Sequence, residues 1–365
     1  MLSRPETERE LSDLLRDADG PLDILGGGTR GLPGHGGRGI DMSAMTGVTL
    51  HDPGALTLVA RAGTPIADLQ ALLAAHGQHL AFEPPDLRAL LRRQGTSTLG
   101  GVIASNASGP RRVQAGAARD AVLGVRMVDG TGRVIANGGR VMKNVTGLDL
   151  ARLMCGSHGT LGVLTEIALK VLPRPAMTRT LVLPDQGAQA AVDAMSRALG
   201  SPFEISGAAW LPGTGTLLRI EGFAPQVDHR LHQLQARLGG DVTEDDPWPA
   251  IRDVASLAAL PGADLQGDVW RIHARPSAAP GLLARARADR VLLDWGGGLI
   301  WCLVPSGTDL RARLGAFQGH ATLVRGQGQP VLHPEAPAIA RITRGLRARF
   351  DPRAILNPAL TGPSA

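Results

Sequence analysis

Apolar residues set two rhythms in the opening stretch of this chain. Leu11, Leu14, Leu15 and Ala18 recur at helical spacing and predict an amphipathic helix ending at Gly20, with Ser3 and Glu6 as a capping box ahead of it. Short apolar runs then predict strands at residues 22–25, 39–42, 47–51 and 56–61, the last two joined by the turn Asp52-Pro53-Gly54. Thr64 as N-cap, Pro65 at the first helical position and the buried row Leu69, Leu72 and Leu73 predict the next helix, which stops at Gly77. Glu83-Pro84-Pro85 forces an extended loop. Thr98 caps a short helix through Gly100, Gly101 and on to Asn106, residues 122–128 and 133–136 read as a hairpin, and residues 163–171 form a mostly apolar strand.

Pro173 and Pro175 mark a boundary, after which the texture changes. Strands at residues 178–183, 205–210 and 217–222 surround helices at 187–199 and 225–238. A similar order returns in residues 269–274, 278–288, 291–295, 299–304 and 310–317, with no repeat in the sequence itself. One helix between paired strands predicts β-α-β-β-α-β units, hence an antiparallel sheet with helices on one face. A last helix spans residues 335–350. The fold class is α+β, with domains expected at residues 1–175 and 176–334 and a tail, 335–365, that returns to the first.

Three glycine-dense stretches stand out against this pattern: Gly26-Gly27-Gly28-Thr29, Gly100-Gly101 with residues 106–109, and residues 156–162. Bare backbone N–H groups beside a strand end or helix start can approach a phosphate closely. Three such segments imply a large cofactor lying along a groove. Gly26, Gly28 and Gly31 fit G-x-G-x-x-G, but that motif needs a helix directly after it. Leu32, Pro33, Gly34, His35, Gly36 and Gly37 cannot propagate one, which argues against a nicotinamide-type Rossmann fold. A tight turn is the alternative for each glycine alone.

Composition narrows the picture. With 365 residues, 43% of them hydrophobic, the chain suits a two-domain soluble protein, and its longest apolar run, 161–172, contains Glu166 and Lys170 and is too short to span a bilayer. The opening Met-Leu-Ser-Arg-Pro-Glu lacks the pattern of an export signal, so a cytoplasmic address is expected. The charge of +5 is nearly all Arg, scattered among acids, and aromatic residues are few, which argues against nucleic-acid binding. Cys155 and Cys302 lie far apart and are too few for an iron–sulfur cluster, and both read as buried small hydrophobes.

Taken in order, several segments resemble flavoproteins with a PCMH-type (vanillyl-alcohol-oxidase-like) FAD domain, and most closely the FAD-binding E subunits of glycolate oxidases. The carriers are residues 24–29, 82–85, 99–112, 141–154, 156–159 and 161–166, followed by Trp270-Arg271-Ile272, residues 294–297 and Gly319-His320-Ala321-Thr322. The likeness covers nearly the whole chain. It implies a two-lobed FAD-binding domain followed by an α+β cap domain with an antiparallel sheet. It also implies that Gly26, Gly27, Gly28, Thr29 and Arg30 cradle the pyrophosphate, that Pro85, Thr98, Gly100 and Gly101 line the flavin path, that Asn106 and Gly109 fix its polar edge, and that Gly162 and Val163 close the site. Covalent attachment is not expected, since neither His35 nor Cys155 sits in an attachment pattern.

Oxidation of a 2-hydroxy acid needs a base for the hydroxyl proton and a cation for the carboxylate. The histidine cluster that related dehydrogenases carry near Gly-Asp-Gly-Asn is absent, and His76-x-x-His79 and His229-x-x-His232 read as solvated histidines, so no metal is expected. His320 is the candidate base and Arg271 its candidate partner, with a structural role left open for both. By resemblance the partners are a homologous FAD-containing D subunit, which oxidises glycolate to glyoxylate, and an iron–sulfur F subunit to which this FAD relays electrons, with membrane association through those partners. Two alternatives stay open: a self-sufficient 2-hydroxy-acid dehydrogenase, and a non-catalytic scaffold with a vestigial groove.

Overall fold

A computed structural model describes residues 2–30, 37–140, 148–258 and 266–360. The predicted contributions of residues 31–36 and 141–147 lie outside the described residues.

The chain begins with a small parallel sheet, in which strand Arg38–Asp41 lies between Leu2–Ser3 and Leu22–Leu25. Helix Glu8–Arg16 covers it, burying Leu11 and Leu15 against Ile40 and Val128. The predicted capping box at Ser3 is corrected: Ser3 belongs to the first strand, and Thr7 is the N-cap, its hydroxyl accepting from Glu10 N–H at 3.2 Å. Strand pairing claimed the earlier serine, and the next β-hydroxyl took the cap.

A five-stranded antiparallel sheet forms the second lobe, ordered Val48–Asp52, Thr57–Arg61, Val163–Lys170, Val122–Val128 and Val134–Gly138. Val163–Lys170 is central, which explains why its sequence is apolar on both faces. Helices Ile66–Ala75 and Leu99–Ala104 pack on this sheet through Leu69, Leu73, Val102 and Ile103. Helix Ile66–Ala75 starts one residue later than Thr64 suggested. The Thr64 hydroxyl instead accepts from Gly47 N–H (3.0 Å) and donates to Arg61 O (2.7 Å).

The remainder builds one eight-stranded antiparallel sheet, ordered Asp241–Thr243, Met177–Leu183, Gly215–Gly222, Ile205–Leu211, Arg290–Asp294, Leu299–Val304, Asp268–Ala274 and Gly319–Arg325. Two β-α-β-β-α-β units meet edge to edge, with Trp210 opposite Leu293 at the seam. Helices Gly187–Leu199, Ala224–Leu238, Ala279–Ala286 and Leu310–Leu314 cover one face. The opposite face packs on Trp248, Ile251, Val254 and Leu257, and on Leu90 from the first half of the chain. The edge strands Asp241–Thr243 and Gly319–Arg325 carry too weak an apolar alternation to read from sequence, and Trp295 leaves its predicted strand for a tight turn at φ 55°.

Helix Pro337–Phe350 sets Leu346 and Phe350 against the core of the five-stranded sheet. The following residues reach back to the parallel sheet, where Leu22 N–H donates to Ile355 O at 2.8 Å and Leu22 pairs with Leu356.

Candidate functional site

The three glycine segments come together in space. Gly27 O accepts from Thr96 N–H at 3.2 Å, and a Cβ on Gly27 would stand 1.6 Å from Thr96 O, so only glycine permits this approach. On the next turn Thr98 caps helix Leu99–Ala104 by accepting from Gly101 N–H at 3.3 Å, while Gly100 N–H donates to Ala62 O at 2.7 Å. The third segment docks onto that helix: Gly156 N–H donates to Ile103 O (3.2 Å) and His158 N–H to Ala104 O (2.8 Å). Asn357 then ties the third segment to the first, accepting from Ile24 N–H and donating to His158 O, both at 2.7 Å.

This pairing separates the expected roles. The N–H groups of Gly100, Gly101, Gly156 and His158 are committed to protein acceptors, whereas among the described residues those of Gly26, Gly27, Gly28, Thr29 and Arg30 donate to none. In the first loop, therefore, these backbone donors are not spent on protein acceptors. Gly162 immediately precedes the central strand, which Val163 opens by pairing with Val128 inside the core.

A cavity of about 2290 Å³ runs between the first half of the chain, the inner face of the cap sheet and helix Pro337–Phe350. Arg30, Pro85, Asn106, Gly109, Arg271 and His320 line it, while Gly26–Thr29, Thr98, Gly100, Gly101, Gly162 and Val163 do not. Asn106, at φ 47°, turns its Oδ1 to accept from Arg119 N–H at 3.0 Å. Ten arginines but three carboxylates (Asp268, Asp294 and Glu335) face this space. Such an excess favours anions.

Strand alternation builds the cap wall. Arg271 and His273, two residues apart on Asp268–Ala274, share one sheet face; Arg271 stands opposite Trp301 and Thr322, and His273 opposite His320. Trp295 is their common support. The Arg112 and Arg271 guanidiniums lie 4.3 and 5.5 Å from its ring centroid, the His273 ring lies 5.2 Å away edge-on, and the indole N–H donates to Gly109 O at 3.0 Å. His320 is 4.5 Å from His273, ring to ring. Burial pushes His273 down to about 2 and His158 to about 4, and the Arg271 charge deepens both shifts. The same causes lower His320, disfavouring its charged form. Burial also lowers Arg30 and Arg271 to about 10 and raises the Asp294 carboxyl to about 7.

Behind this wall the halves of the molecule are bolted by charge. Arg219 pairs bidentately with Glu83, both contacts at 2.9 Å, while Glu83 also accepts from Arg111 N–H at 2.8 Å. Glu221 lies 3.4 Å from both Arg219 and Arg111. Sequence reasoning missed this network, along with His273 and Trp295. Period-two counting from Trp270 would have put His273 beside Arg271, but the ion network joins residues far apart in the chain. The His76/His79 and His229/His232 pairs lie away from the cavity, though His79 is corrected from a solvated residue to one on strand Gln78–His79 with its Nε2 enclosed, and among the described residues no group of three His, Cys, Asp or Glu is placed to hold a metal. Both cysteines are free; burial raises each thiol to about 12.

The residues fit a flavin dinucleotide. The cavity exceeds the roughly 300–1,000 Å³ usual for small-molecule sites. Enclosed nitrogens without partners, Arg30 Nε, Arg271 Nε and His273 Nε2, border it. Comparison with known proteins agrees. A family model described as an FAD binding domain matches residues 1–137. Glycolate oxidase subunit GlcE of Escherichia coli K12 is 34% identical over 341 residues, 93% of this chain and 91% of that protein. GlcD of Bacillus subtilis 168 is 34% identical over 206 residues, 55% of this chain and 40% of its own length. Alkyldihydroxyacetonephosphate synthase shares the fold, with a TM-score of 0.69 at 16% identity over 98% of this chain and 75% of that one. With an arginine-rich cavity between its halves and a relative matched almost end to end, the chain belongs to the glycolate oxidase subunit GlcE family of FAD-dependent oxidoreductases, with FAD as its cofactor.

Proposed function

We propose that this chain is the FAD-carrying E subunit of a multi-subunit glycolate oxidase that converts glycolate to glyoxylate, working beside a GlcD-like flavoprotein and passing electrons to an iron–sulfur partner. The observation that carries this reading is the match to GlcE over 93% of the chain. Bound FAD supplies a two-electron acceptor. On this reading Gly26, Gly27, Gly28, Thr29 and Arg30 hold the diphosphate through N–H donors and one guanidinium. Pro85, Thr98, Gly100 and Gly101 shape the path, Asn106 and Gly109 border the polar edge, and Gly162 and Val163 brace the third segment from behind. The cap wall limits water and keeps positive charge over the cavity. The domain division at residues 175 and 334 belongs to the same proposal, the sheet of the first part ending at Lys170 and that of the cap starting at Met177.

Co-expression tests it. The tagged chain is expected to purify yellow and, with a GlcD-like flavoprotein and a cysteine-rich ferredoxin-like chain, to form an assembly that reduces an artificial acceptor on addition of glycolate. A colourless chain whose melting point does not move with added FAD would overturn the proposal.

A further inference from the structure

The inner face of the cap sheet holds a cation that the protein leaves unsatisfied. Among the described residues Arg271 has no hydrogen-bond or salt-bridge partner, its Nε is fully enclosed, and its guanidinium lies 5.5 and 5.7 Å from the Trp295 and Trp301 ring centroids. His273 Nε2, two residues along the same face, is enclosed and equally without a partner. Enclosed nitrogens lacking partners, Nε of Arg271 and Nε2 of His273, are costly in a folded protein, and both residues border the cavity. Their donors and lone pair therefore await a ligand.

We propose that Arg271 and His273 form a small-carboxylate site on this chain, Arg271 pairing with the carboxylate of a 2-hydroxy acid and His273 accepting a hydrogen bond from its hydroxyl. The site rests on the glycolate-oxidase reading and adds that the acid meets this subunit as well as a sister flavoprotein. A guanidinium fork matches a carboxylate in shape and charge. The Trp295 and Trp301 rings flank the Arg271 guanidinium, and His320 stands beside His273. The bond from Trp295 to Gly109 sets this wall against the segment assigned to the flavin's polar edge. Burial and the neighbouring Arg271 keep His273 uncharged, so one ring nitrogen stays an acceptor. Asp294, the carboxylate nearest in effect to Arg271, is itself pushed towards its neutral form and competes weakly for the guanidinium.

The FAD-loaded full chain is titrated with acetate, glycolate and oxalate, following tryptophan fluorescence and binding heat. Saturable binding is expected, with glycolate held more tightly than acetate. Arg271→Gln should weaken all three acids about tenfold to a hundredfold. His273→Phe should erase the preference for glycolate over acetate and leave acetate binding in place. Arg271→Lys, keeping the charge without the fork, should fall between wild type and Arg271→Gln and serves where the latter does not fold. Wild-type affinity in either Arg271 variant, or a FAD-loaded chain blind to all three acids, overturns the site. A chain that never carries FAD defeats the glycolate-oxidase reading instead.

Discussion

Asp294 shows how one residue's surroundings reach the behaviour of the whole protein. Burial, with Glu83 nearby, raises its carboxyl to about 7, against the pull of the Trp295 N–H, Arg219 and Arg271. An unfolded aspartate titrates near ~3.9. Between those values the folded protein keeps a proton that the unfolded chain has released, so this group's contribution is full below about pH 4 and is lost as pH rises through 7. His158 and His79 act oppositely. Burial holds each near 4, so their contribution is present above about pH 6.5 and is lost as pH falls towards 4. Asp294→Asn keeps an oxygen to accept from Trp295 N–H while removing the titration. The variant should melt higher than wild type at pH 8, and the gap should close by pH 4; a constant difference across that range would contradict the assignment.

Elements set by local rules were legible, and those set by competition were not. Helix Leu99–Ala104 follows from Thr98 and the apolar pair Val102 and Ile103, and helix Gly187–Leu199 and strand Leu299–Val304 lie where their patterns put them. The first helix cap was misplaced because Ser3 had a second use in a sheet that forms only through Arg38–Asp41. Likewise, the glycines of all three segments were recognisable, but their division of labour was not. Nothing in Gly100-Gly101 reveals that both N–H groups are spent on Ala62 and Thr98. Packing between elements gives Gly27 its importance. Gly27→Ala drives a methyl into Thr96 O and forces the loop off the helix start. It should cost about 1–3 kcal/mol in denaturant unfolding, and the flavin content of the purified variant should fall. Full flavin occupancy at wild-type stability would refute that account.

For the whole molecule, the doubled β-α-β-β-α-β order was readable from alternating patterns, but the seam that fuses both units into one sheet was not. It depends on Ile205–Leu211 and Arg290–Asp294 meeting across some eighty intervening residues, and a single register pair, Trp210 with Leu293, records it. The same holds for the Glu83–Arg219 bolt and for the cavity it frames, which exist only once both halves have docked. Asn357 completes that assembly. Asn357→Ala removes both of its links, a loss of about 1–3 kcal/mol, and should loosen FAD, measured as cofactor released during gel filtration; tight retention would show the link to be dispensable. The partners it joins, Ile24 and His158, precede it by 333 and 199 positions. On a ribosome this fastening emerges after every wall of the groove, the last of them being helix Pro337–Phe350, so a nascent chain halted at Phe350 should hold flavin more weakly than the finished one.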